Sequence, residues 1–204
     1  MTEESEQQIT IFQDPVNFTL KHPLQFKWTL WFDDAAFMKQ NPKLTWDENL
    51  KCLFTVESVE DFWGLIHSLR PPSDLPASAN YHLFKEGVKP MWEDKENAKG
   101  GKWTYSQARS KRGQELNGYW LKTMLAIIGE QFTHSEEITG AVISVRKTAD
   151  RISLWTKTFD DKEKTLQIGN EFKEYLGITD KIGFQAHADT AVKNASQAKD
   201  RYSC

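Results

Sequence analysis

Trp92 and Glu93 stand side by side in "PMWEDKENAKGGKW" (Pro90–Trp103), a charged, glycine-ended run that is a poor place to bury an indole. Trp46 stands in a second polar, proline-containing stretch, "NPKLTWDEN". Two loop indoles can sandwich a flat ring. A carboxylate beside them can accept two N–H bonds from one heterocycle edge. Guanine offers such an edge through its ring N1–H and its amino group; adenine does not. A methyl on guanine N7 makes the ring a cation, which indole faces attract more strongly. Two guanidiniums, Arg146 and Arg151, frame a four-residue connection, Lys147–Asp150, in "GAVISVRKTADRISLWTK". If Arg146 faces Arg151 across that turn, strand alternation puts Val142, Ser144, Arg146, Arg151, Ser153 and Trp155 on one face. Like charges placed opposite each other are unfavourable unless an anion is expected, and Arg holds phosphates bidentately. The inventory fits a guanine nucleotide that is stacked rather than paired. Each residue taken alone also has a plainer reading: solvated Arg at a hairpin tip, Trp46 or Trp92 as a lid over the core, Glu93 as a solvated acid.

These side chains need a sheet to carry them. "QFKWTLWF" alternates Phe26, Trp28, Leu30 and Phe32, and Leu50, Cys52, Phe54 and Val56 repeat the pattern, so both stretches read as strands. The other face of the Arg hairpin, Ala141, Ile143, Val145, Ile152 and Leu154, is apolar and belongs under helices. Three helices are expected. "SVEDFWGLIHSL" has Ser58 as cap with Asp61 three residues later, and Phe62, Leu65, Ile66 and Leu69 as its inner face. "GYWLKTMLAIIGE" puts Leu121, Met124, Leu125 and Ile128 in step and ends near Gly129 as the C′ residue. "TLQIGNEFKEYLG" aligns Ile168, Phe172, Tyr175 and Leu176, with Gly177 as the stop. Several neighbouring strands are joined too closely for βαβ crossovers. That favours an α+β layout, an antiparallel sheet with helices on one face and the other left open for the paired Arg.

Composition limits the alternatives. A chain of 204 residues suffices for one real core. Residues 1–20 are polar and acidic without a period and read as a flexible tail; residues 21–204 read as a single domain whose end, from about residue 187, is small, polar and mobile. No stretch is long and apolar enough to span a membrane, and no signal-peptide pattern opens the chain. Cys52 and Cys204 are far apart and read as reduced thiols, in a cytosolic or nuclear compartment, rather than a disulfide or zinc framework. A net charge of -3 argues against a duplex-DNA coat but allows a small nucleotide site. No P-loop, GxSxG, HExxH or metal-spaced acid cluster supports a nucleotide-hydrolysing enzyme, and "HSEE" (His134–Glu137) reads as a polar turn. No catalytic residue, metal or cofactor is expected.

"HPLQFKWTLWF", "TVESVEDFWGL", "PMWEDKENAKGGKW", "LAIIGEQF", "GAVISVR", "ISLWTK" and "HADTA" resemble the eukaryotic translation initiation factor 4E family, the messenger-RNA cap-binding proteins. The resemblance runs from about His22 to Thr190, with the motifs in family order. It implies a cupped antiparallel sheet of about eight strands with three helices on the convex face. It implies that the 7-methylguanine of the cap stacks between Trp46 and Trp92 and that Glu93 accepts the two donors. The Trp92 backbone would contact the base edge, Arg146 and Arg151 would hold the triphosphate, and Trp155 would lie near the methyl group.

The resemblance also implies a convex-side site for a Tyr-x-x-x-x-Leu-Φ helix (Φ, a hydrophobic residue) on the initiation scaffold and on inhibitory binding proteins. The matching positions are His22, Pro23, Val59, Trp63, Leu121, Leu125 and Gly129. The sequence agrees in part, since Val59 and Trp63 are four apart and off the Phe62–Leu69 stripe. Three departures stand out: Lys122 where many members carry an acid, Thr148 where some carry a third basic phosphate contact, and a longer loop before Trp46. The expected partners are capped messenger RNA, the scaffold and the binding proteins, with the chain itself a monomer. The competing reading is a cap binder that does not engage the scaffold and represses translation, with Lys122 as its support.

Overall fold

The computed structural model describes residues 21–192 and 199–204. The tail expected over residues 1–20, and residues 193–198 of the mobile stretch expected from about residue 187, lie outside the described residues; the rest of that stretch departs from expectation, since His187–Val192 are helical and Tyr202–Ser203 pair with the sheet. The strands are β1 (Pro23–Asp34), β2 (Lys51–Ser58), β3 (Ala79–Lys85), β4 (Gly101–Ala108), β5 (Ile138–Ser144), β6 (Ala149–Thr156), β7 (Gly183–Ala186) and β8 (Tyr202–Ser203). They form one antiparallel, eight-stranded sheet in the order β2-β1-β3-β5-β6-β4-β7-β8. The three long helices are α3 (Val59–Ser68), α4 (Gln114–Ile128) and α5 (Lys162–Leu176). Three short ones join them: α1 (Ala35–Gln40), α2 (Trp46–Asn49) and α6 (His187–Val192). The expected α+β layout is therefore present, with short helices where the sequence suggested only loop.

The core lies between one face of the sheet and the long helices. Trp28, Leu30, Val56, Leu83, Trp103, Ile143, Ile152, Leu154 and Phe184 meet Phe62 of α3, Trp120 and Met124 of α4, and Ile168, Phe172 and Leu176 of α5 in one buried cluster. Local signals start and stop the helices as expected. Ser58 Oγ accepts from Asp61 N at 3.1 Å, so α3 is capped. Gly177 ends α5 with φ +74, a left-handed conformation that costs glycine nothing.

Four expectations change. First, α4 begins earlier, and its buried stripe is Leu116, Trp120, Met124, Ile127 and Ile128, whereas Leu121 is half-buried and Leu125 exposed. The helix is apolar on two stripes, and its seat on the sheet selects one. Second, Gly129 is the C-cap residue; Glu130 follows at φ +50 as C′, with Gln131 N bonded to Ala126 O and Glu130 N to Ile127 O. Third, Ser144 rather than Arg146 faces Arg151, so the hairpin register is two residues from that expected and Arg146 lies past the end of β5. An even slip keeps every side chain on its face, so Ala141, Ile143, Val145, Ile152 and Leu154 are buried as anticipated. Fourth, alternation in β1 and β2 does not bury everything. These are the edge and next-to-edge strands of the sheet, and Phe26, Cys52 and Phe54 are exposed.

Candidate functional site

The face opposite the core carries a cleft of about 420 Å³ whose lining includes Trp46, Trp92, Glu93, Arg146 and Trp155. Arg151, exposed, lines the adjoining polar cavity, which shares Lys102, Ser144, Arg146 and Ser153 with the cleft. Five of the six residues expected to contact the nucleotide therefore line one cleft and the sixth, Arg151, the cavity beside it, though they come from segments more than a hundred residues apart at the extremes.

Local structure holds the two indoles. Trp46 is the first residue of α2, whose Thr45 and Glu48 form a reciprocal capping box. The long stretch before it is therefore not all loop, since α1 occupies its first half, capped by Asp34. Trp92 sits on the segment between β3 and β4 and is 43 % exposed. That segment is stapled from beneath. Asn97 is fully buried and donates through Nδ2 to the carbonyls of Lys89 and Met91, both at 2.9 Å. Asp94 accepts from the backbone N–H groups of Lys89 and Glu96. Gly100 closes the segment against β6, where a Cβ would lie 1.7 Å from Thr156 O, so only glycine fits. Lys89 Nζ lies 3.1 Å from Asp47 Oδ1 and so ties the two tryptophan-bearing segments together across the mouth of the cleft. The pair is exposed and contributes at most about 1 kcal/mol.

The floor is aromatic at one end and cationic at the other. Trp155 is buried edge-on against Phe84, with ring centroids 5.3 Å apart, and 4.1 Å from the His187 ring. Burial, and then the nearby Lys102 charge, push His187 down to about 3, so this imidazole is neutral. Lys102 faces Trp155 across the β4–β6 ladder. Burial first, then Arg151 and Arg146, push its ammonium below the ordinary lysine range. Arg146 is held by Asn80 Oδ1 and Val145 O, both at 2.9 Å, and burial lowers it as well. Asn80 and His82 in turn hold the buried Asp33, the His82 Nε2–Asp33 Oδ1 distance being 2.6 Å. Three cations that disfavour one another on one wall make a site for an anion with several charges.

Sequence reasoning missed Lys102, His187, Asp33, Asn80 and His82. A signal existed for Lys102: Lys102, Thr104 and Ser106 alternate with the apolar or buried Trp103, Tyr105 and Gln107, which marks the open face of β4. Asp33 and His82 carry no such signal, because they are 49 residues apart and meet only through strand pairing.

On the helical side, Val59, Trp63 and Leu125 are each between 38 and 39 % exposed. His22 and Val59 are joined by a 2.9 Å bond from Val59 N to His22 O, and Pro23 pairs with Ser58. A cavity of about 610 Å³ brings Pro23 and Gly129 together at the start of β1 and the end of α4. Leu121, Leu125 and Gly129 follow one another at helical spacing along α4. Lys122 departs from expectation. Its Nζ donates to Leu176 O at 2.9 Å, capping the end of α5 rather than standing free beside Leu121 and Leu125. The last carbonyls of a helix lack partners within it, and a cation satisfies them well.

An eight-stranded sheet with long helices on one face and an aromatic, cation-walled cleft on the other defines an α+β protein with an open-face cleft suited to a flat, anionic ligand. The family model described as "Eukaryotic initiation factor 4E" matches residues 23–202. Eukaryotic translation initiation factor 4E-1A of Danio rerio is 40% identical over 203 residues, spanning 98% of this chain and 90% of that protein. The human eukaryotic translation initiation factor 4E is 40% identical over 202 residues, spanning 98% of this chain and 89% of that protein. Among solved structures, Ascaris suum eIF4E-3 with an m2,2,7G cap superposes with TM-score 0.80 at 40% identity, over 90% of this chain and 98% of that one. C. elegans eIF4E-3, in complex with the 4E-binding protein Mextli and a cap analog, superposes with TM-score 0.80 at 36% identity, over 90% of this chain and 99% of that one. The chain belongs to the eukaryotic initiation factor 4E family.

Proposed function

We propose that this protein binds the 7-methylguanosine cap of messenger RNA in the open-face cleft and recruits an initiation scaffold through its helical side, promoting cap-dependent initiation. The observation that carries the reading is the single cleft in which Trp46, Trp92 and Glu93 meet Lys102 and Arg146, with Arg151 adjoining. Trp46 and Trp92 stack on the methylated base, each contributing about 1–3 kcal/mol. Glu93 accepts N1–H and the amino group, worth roughly 1.5–3 kcal/mol for a charged hydrogen bond. Trp155, buried on the floor at 7 % exposure, lies near the methyl group. Arg146, Arg151 and Lys102 take the triphosphate. The reading assigns no bond-breaking step to any residue. Residues 21–204 act as one cap-binding domain.

Two features support the partner half of the reading. Val59, Trp63 and Leu125 are apolar and exposed on α3 and α4, where an amphipathic Tyr-x-x-x-x-Leu-Φ helix would place its own anchors. The family includes a member solved with a 4E-binding protein.

Titration of intrinsic tryptophan fluorescence tests the cap reading, because the stacking rings are the fluorophores. 7-Methyl-GTP is expected to quench with micromolar or tighter affinity, about -8 kcal/mol. GTP, which lacks the ring charge, is expected to bind far more weakly. Equal affinity for the two ligands would overturn the assignment. A parallel titration with a trimethylguanosine cap reads how far Glu93 depends on the amino hydrogens.

A further inference from the structure

His82 stands midway along the floor of the cleft. It lies on β3, between Trp31 of β1 and Val142 of β5, and is part of the cleft lining. Two residues further along the strand, Phe84 packs edge-on against Trp155 at the aromatic end. Two residues back, the Asn80 side chain accepts from Arg146 at the cationic end. Residues 80, 82 and 84 share one face of the strand, at steps of about 7 Å. A ligand with its methylated base at Trp155 and its phosphates at Arg146 therefore sets the ribose, which joins the two, over the middle position.

The His82 ring is held in place but not satisfied. Its Nε2 lies 2.6 Å from Asp33 Oδ1, and Asp33, also buried, takes Asn80 Nδ2 on both oxygens. A carboxylate at one ring nitrogen fixes the orientation of the ring and leaves the other nitrogen to a second partner. His82 is only 6 % exposed, and its Nδ1 is buried without a hydrogen-bond partner among the described residues. An unpaired buried nitrogen is costly, and a polar group seated in the cleft would remove that cost. The chemistry selects a hydroxyl. It is donor and acceptor at once, so it suits Nδ1 whether or not that nitrogen carries a proton, whereas a phosphate oxygen or a base carbonyl can only accept.

We propose that His82 reads the sugar of the cap nucleotide, with Nδ1 hydrogen-bonded to the 2′- or 3′-hydroxyl and Asp33 fixing the ring from behind. The proposal rests on the cap-binding reading and deepens it. Stacking on Trp46 and Trp92 and pairing with Glu93 recognise the base, and the cations recognise the phosphates. His82 adds the sugar, so that the cleft prefers a ribonucleotide to its deoxy counterpart.

The test titrates the intrinsic fluorescence of the full chain with 7-methyl-GTP and with its 2′-deoxy and 3′-deoxy analogues, which keep the cationic base and every phosphate. The wild type is expected to bind at least one deoxy analogue about fivefold more weakly than 7-methyl-GTP, the net value of one hydrogen bond. His82→Leu is expected to close that gap, binding 7-methyl-GTP no better than the deoxy analogue. A ring that merely supports Asp33, and through it Asn80 and Arg146, would weaken all three ligands alike in the variant and leave the gap standing. That result, or equal affinity of the wild type for all three ligands, would overturn the assignment. The wild-type comparison needs no variant and decides the matter even where His82→Leu does not fold. A wild-type chain that bound GTP as tightly as 7-methyl-GTP would instead overturn the cap reading beneath it.

Discussion

Asn80 joins Arg146 to a buried acid: its Oδ1 accepts from Arg146 Nη2 at 2.9 Å, while its Nδ2 donates to both oxygens of Asp33, at 2.9 and 3.0 Å. A carboxylate on one side and a guanidinium on the other leave the amide one workable orientation. Asn80 therefore aims Arg146 across the cleft. Asn80→Leu is expected to weaken 7-methyl-GTP by about 1 kcal/mol, the net value of a hydrogen bond, and to spare 7-methylguanosine. Titration of both ligands checks it; equal losses would mean a general collapse of the floor.

Trp92 and Glu93 are both exposed on a segment stapled by Asn97, so their truncation leaves no cavity in the core. Trp92→Ala and Glu93→Ala are each expected to abolish retention on a 7-methyl-GTP resin, with thermal midpoints close to wild type. A large drop in midpoint would mark the loop as structural.

Lys102 gives the phosphate site a pH dependence. Its ammonium is held below the ordinary lysine range by burial and by Arg151 and Arg146, and a bound triphosphate raises it again. Binding is therefore strongest below the depressed value, where the cation is present, and declines as pH rises through it. Both ligands weaken at alkaline pH as the cationic base loses its N1–H, and the loss due to Lys102 is expected as an added decline for 7-methyl-GTP over 7-methylguanosine. Lys102→Gln is expected to weaken the triphosphate wherever the cation is present and to flatten the added decline.

Trp63 packs edge-on to Phe62, with centroids 5.4 Å apart, yet remains 38 % exposed on α3. Trp63→Ala is expected to cost about 2 kcal/mol or more in binding of a Tyr-x-x-x-x-Leu-Φ peptide, as for a hot-spot anchor. Cap affinity should be unchanged. Parallel loss of both activities would place Trp63 in the core.

His187 sets an acid limit on stability. Its folded value, about 3, lies below its ordinary value of 6.5, so the unfolded chain binds the extra proton between those values. The contribution is complete above the ordinary value and is lost as pH falls toward about 3, at up to roughly 1.4 kcal/mol per pH unit. His187→Gln is expected to flatten the fall in urea midpoint between neutral and mildly acidic pH.

The helix caps at Ser58 and Gly177 and the two faces of the Arg hairpin were legible because they depend on near neighbours in sequence and on the two-residue period of a strand. That period also protected the site reading from its own error. A register two residues from that expected leaves Arg146, Arg151 and Trp155 on the open side. Trp46, Trp92 and Glu93 stood out for the opposite reason, as large or charged groups in polar segments, and there Trp92 and Glu93 are exposed and Trp46 half-buried.

Tertiary structure decided the rest. α4 carries two apolar stripes of similar composition, and only its placement on the sheet buries Met124 and exposes Leu125. Lys122 reads as a rim charge until α5 brings the Leu176 carbonyl within 2.9 Å. The support that aims Arg146 exists only because β1, β3 and β5 lie side by side, which sets Asp33, Asn80 and Ser144 in one row. Periodicity fixes which way a side chain faces, but not which strand lies beside it; that choice is made by long-range packing, whose partners leave no mark on one another's sequence.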